Sequence, residues 1–121
     1  MVASAVWSGQ TGTEYLFRLY PVGTEFRPVS GVYIFCRPVG KTGMEALYVG
    51  DTQSFYDCLN TGCEDQDGFE SALRAGATHI GLMRVDYSTD RLRIETDLRH
   101  GLNPRCNTQP VNAMADELLH K

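Results

Sequence analysis

The sequence predicts a mixed α/β chain of the α+β type: a small, mostly antiparallel sheet of three to four strands flanked by helices. Three observations carry this reading. Residues 30–36 (SGVYIFC) and 46–49 (ALYV) are β-branched and aromatic runs separated by turn chemistry, which is how a hairpin reads. Residues 78–85 (THIGLMRV) form a further apolar run, long enough for a buried central strand. Ile94, Leu98 and Leu102 recur at the spacing of one helix face.

In chain order, residues 1–10 read as a frayed lead-in. Residues 14–20 (EYLFRLY) are aromatic and partly alternating, as in a strand, and 21–28, with two prolines and a glycine, make a connection. The hairpin follows, its loop at 37–43. Antiparallel pairing would bring Tyr33 and Tyr48 close across the sheet. Gly50 ends the second strand. Thr52 or Ser54 caps a short helix over 54–60, which Thr61 and Gly62 stop. Residues 64–68 are an acidic link, and 69–75 read as a second helix closed by Gly76. After the 78–85 strand, Ser88 or Thr89 caps a third helix running to Leu102, broken by Asn103-Pro104. Glu95 lies beside the apolar stripe of this helix, at the edge of its buried face. The tail is expected to form one amphipathic turn over 114–119.

At 121 residues the chain is expected to be one domain. No apolar run approaches the ~20 residues of a membrane span, and the start lacks the pattern of a signal peptide, so a cytoplasmic protein without membrane contact is expected. Cys36, Cys58, Cys63 and Cys106 are then four reduced thiols. Cys58 and Cys63 lack the spacing and partners of a zinc site, and a redox- or metal-responsive role for them is the weakest reading. The net charge of −4 argues mildly against non-specific nucleic-acid binding. Arg91, Arg93, Arg99, His100 and Arg105 crowd the region of Glu95, but read equally well as a solvated helix face.

Gly31-Val32-Tyr33 is followed fifteen residues after its tyrosine by Tyr48-Val49-Gly50, and Glu95 is followed twelve residues later by Asn107, with Pro104 between them. Over about residues 30–107 this order resembles the GIY-YIG nuclease superfamily. The resemblance implies a GIY-YIG endonuclease-like fold and divalent-metal-dependent hydrolysis of DNA phosphodiesters. Tyr33 would help deprotonate the attacking water and Tyr48 would hydrogen-bond in the site. Glu95 would hold one Mg²⁺ or Mn²⁺, and Asn107 would shape the site. Gly31 and Gly50 would let the backbone bend and a substrate approach.

One position departs from the family. Its phosphate-contacting arginine falls eight residues after the second motif's glycine, which here is Cys58. A thiol offers neither a fork of donors nor a fixed positive charge. Losing such a contact typically slows catalysis by about 10²–10³-fold. Arg37, Arg74 and Arg105 are the possible substitutes. The sequence therefore supports a nuclease weakened or inactivated at Cys58. The alternative is a catalytically dead module of the same fold that binds a nucleic acid or a protein partner. Each motif residue also has a plainer role available: Tyr33 and Tyr48 as core tyrosines, Asn107 as a turn residue, and Glu95 as a surface carboxylate paired with Arg99 or Arg91.

Overall fold

The computed structural model describes residues 3–62 and 66–107. Its strands are β1 (Ala3–Ser8), β2 (Glu14–Pro21), β3 (Gly31–Val39), β4 (Gly43–Thr52) and β5 (His79–Arg84). Between β4 and β5 lie a single π turn over Tyr56–Asn60 and helix α1 (Gln66–Arg74), and helix α2 (Ser88–Leu102) follows β5. All pairings are antiparallel, in the order β1-β2-β5-β3-β4.

The sheet has five strands rather than three to four. The additional strand is β1, where a frayed lead-in was expected. Alternation is present there, with Ala5 and Trp7 turned to the core and Ser4, Val6 and Ser8 away from it, but alanine and serine give it little amplitude. Tertiary contacts supply what the pattern lacks. β1 pairs with β2 in unbroken register, Trp7 meets Phe17 edge-on at 5.5 Å, and its indole N–H donates to the Met44 carbonyl. The hairpin strands also run longer than the apolar pattern implies, because Arg37 and Glu45 face each other across it and form an ion pair at 2.9 Å. The short helix expected over 54–60 is the π turn, and α1 begins three residues before the expected start. α2 follows Tyr87 with no side-chain cap from Ser88 or Thr89, and ends at Asn103 in the left-handed conformation. The turn expected over 114–119 lies outside the described residues.

Two cores form on opposite faces of the sheet. One packs under α2 and holds Phe17, Val32, Ile34, Val49, Ile94 and Leu98. The other packs under the π turn and α1 and holds Tyr33, Phe35, Tyr48, Phe55, Cys58 and Phe69. β3 is buried on both faces from Gly31 to Cys36, as a covered central strand must be. An irregularity in pairing between Phe35 and Cys36 lets the neighbours Leu47 and Tyr48 join the same core. β2 alternates strictly between exposed and buried from Glu14 to Leu19, so its half of the sheet is covered on one face only.

Candidate functional site

Tyr33 sits opposite Gly50 in the β3–β4 register, and Phe35 sits opposite Tyr48, so the two tyrosines meet diagonally. Their rings stack with centroids 6.2 Å apart at 29°. Phe69 of α1 makes T-shaped contacts with both, at 5.7 and 5.9 Å. This packing leaves Tyr33 2% and Tyr48 6% exposed. The motif glycines are needed by the same packing. A Cβ on Gly50 would overlap the Tyr33 ring, and one on Gly31 would overlap the Met83 carbonyl oxygen and the Phe55 ring.

Cys58, delivered by the π turn, is buried with its Sγ 3.7 Å from the Tyr33 hydroxyl. Eight residues after Gly50, where the GIY-YIG resemblance would call for an arginine, a sulfur therefore packs against Tyr33. Cys58 is disulfide-bonded, whereas Cys36 and Cys106 are free buried thiols, which corrects the expectation of four reduced thiols. Burial pushes the Cys36 thiol up to about 12.

The three arginines considered as substitutes are engaged with carboxylates. Arg37 and Arg105 converge on Glu45, and Arg37 also donates to the Ala75 carbonyl oxygen at 2.9 Å. The hydrogen bond from Arg37, with the charge of Arg105 beside it, holds the Glu45 carboxyl below its ordinary range. Arg74 is exposed on α1 and pairs with Glu70. The basic residues around Glu95 are neutralised in the same way: Arg91 by Asp51, Arg93 by Asp90 and Arg99 by Glu95.

Asn107 lies beside the second motif. Its side-chain carbonyl accepts the Val49 N–H at 2.6 Å and its amide donates to the Val49 carbonyl at 2.8 Å. β4 is an edge strand, and Asn107 satisfies both outward-facing backbone groups there as another strand would. Glu95 is 8% exposed on α2, whose Ile94 and Leu98 enter the core on the face opposite the tyrosines. Its carboxylate accepts Arg99 Nε at 2.8 Å and the Thr96 hydroxyl at 3.4 Å. The i, i+4 pair read from the sequence is therefore formed. Among the described residues no three of His, Cys, Asp or Glu are grouped to hold a metal. One carboxylate already matched to a guanidinium does not fit the divalent ion that the family resemblance implies.

A second polar cluster was not anticipated. Asp97 of α2 accepts the Tyr15 hydroxyl at 2.7 Å, the Thr11 hydroxyl at 2.8 Å and the Thr11 N–H at 3.0 Å, while its backbone carbonyl takes the Gln10 N–H. Gly9 is closely packed here, since a Cβ on it would overlap the Asp97 carboxylate. No sequence signal links residues that lie 82 to 86 positions apart.

Comparison with protein-family models, with curated proteins and with solved structures finds no match for this chain.

Proposed function

We propose that this chain is a GIY-YIG-like module whose nuclease centre is closed, and that it acts by binding a nucleic acid or protein partner without cutting it. The observation that carries this reading is the aromatic packing of Tyr33 and Tyr48. Both rings are nearly inaccessible, held by Phe69, with the Cys58 sulfur where a phosphate-binding guanidinium would be required. A tyrosine that activates water needs its hydroxyl within reach of that water and of the phosphate. The ion pair between Glu95 and Arg99 adds support.

A second reading, a working endonuclease taking one Mg²⁺ or Mn²⁺ at Glu95, is favoured by the convergence of Tyr33, Tyr48 and Asn107 around one hairpin. It requires Arg99 to leave the Glu95 carboxylate and another cation to take the place lost at Cys58. Incubating plasmid and branched DNA with the native chain and with Glu95→Ala, in Mg²⁺ or Mn²⁺ and with or without reductant, separates the two. The closed-centre reading expects intact DNA throughout. Cleavage by the native chain that Glu95→Ala abolishes would establish the second reading instead.

A further inference from the structure

On the half of the sheet that no helix covers on one face, β2 and β5 floor a groove of about 470 Å³. Leu16, Tyr20 and Leu82 line it from the sheet, Phe26 and Val29 from the connection between β2 and β3, and Phe55 from the loop after β4. Its size is that of a specific binding cleft, roughly 300–1,000 Å³. The wall is fixed in place. Asn60 accepts the Phe26 N–H at 2.7 Å and donates to the Thr24 carbonyl at 2.9 Å, and Phe26 meets Tyr20 edge-on.

The charges identify the occupant. Seven of the nine arginines form ion pairs with carboxylates. The two that form none among the described residues, Arg18 and Arg27, are both exposed and line this groove together with Arg84, against one lining carboxylate, Glu25. In a chain of net charge −4, the unmatched guanidinium groups are thus gathered beside an apolar floor that includes Leu16, 60% exposed. We infer that this groove binds a peptide segment alternating acidic and apolar side chains, with its carboxylates on Arg18 and Arg27 and its apolar groups on Leu16 and Leu82. A polynucleotide fits less well. Phe26 is buried and presents no open ring face for base stacking. The inference names the partner class for the binding-module reading and rests on it.

The test uses the full chain and three fluorescent probes: a short peptide alternating Glu with Leu, the same peptide with Lys for Glu, and a single-stranded oligothymidine. The acidic peptide is expected to bind saturably, and the lysine peptide not to bind. The double variant Arg18→Glu/Arg27→Glu, both positions exposed, should weaken binding about tenfold or more, with salt acting in the same direction. Arg74→Glu, a single charge reversal on an exposed arginine of α1, should leave it within about twofold. Failure of the acidic peptide to bind, or equal binding by the double variant, overturns the inference. Tighter binding of oligothymidine that the double variant abolishes would overturn it too, assigning the groove to nucleic acid. Cutting of the oligothymidine would strike instead at the non-cleaving reading, so the two failures are distinguishable.

Discussion

At the scale of the residue, the motif positions are explained by packing as fully as by chemistry. Gly50 is a glycine because the Tyr33 ring occupies the space of its side chain. Gly50→Ala should therefore destabilise the fold by about 1–3 kcal/mol, as overpacking does, visible as a lower denaturation midpoint. Asn107 acts as a surrogate strand at the β4 edge. Asn107→Asp keeps an acceptor for the Val49 N–H but removes the donor to its carbonyl, at an expected cost of about 1 kcal/mol or more. Amide exchange at Val49 should remain slower in Asn107→Asp than in Asn107→Ala, and equal rates would contradict this role. Cys36, its thiol pushed up by burial, should resist alkylation at neutral pH until the protein unfolds. The sequence made these positions visible as a spaced set. It did not show their contacts, because an amide that shapes an active site and one that closes a sheet edge look alike in a string of letters.

At the scale of the element, Asp97 ties the β1–β2 turn to α2. The Tyr15 hydroxyl, followed by the Thr11 amide, holds the Asp97 carboxyl below its ordinary range, while burial and the bond to Asp97 raise Tyr15. The two shifts set two pH windows. Asp97 contributes stability that is complete above its unfolded value, near ~3.9, and is lost as pH falls through its lower folded value. Tyr15 contributes stability that is complete below its unfolded value, near ~10, and is lost as pH rises through its higher folded value. Thermal midpoints measured against pH should fall at both ends in the native chain. In Asp97→Asn the acid-side fall should shrink and the neutral midpoint should be lower; an unchanged profile would contradict the clamp. β2 was legible from its alternation, the hairpin and β5 from their apolar runs, and α2 from the Ile94, Leu98 and Leu102 stripe. β1 was not, since its alternation is carried by alanine and serine and its strand character comes from Trp7 meeting Phe17 and Met44.

At the scale of the molecule, the sheet divides the motif residues between its layers. Tyr33, Tyr48 and Cys58 lie under α1 and the π turn, Asn107 at the β4 edge, and Glu95 on α2 over the other face. Spacing along the chain anticipated the closeness of the tyrosine pair. It could not show that Phe69 would cover the tyrosines, because that depends on how α1 packs on the sheet, whereas the pairing of Glu95 with Arg99 within one helix was already among the readings of the sequence. The same packing leaves the β2–β5 face open, and the two arginines without carboxylate partners among the described residues lie there rather than beside the motif. The central proposal is that this chain is a GIY-YIG-like module with a closed centre. It is tested most directly by titrating Mn²⁺ into isotope-labelled protein and following relaxation of the amides around Glu95 and Tyr48. The closed centre predicts no saturable broadening localised there and no difference between the native chain and Glu95→Gln. Saturable broadening centred on Glu95 and Tyr48 that Glu95→Gln removes would contradict it.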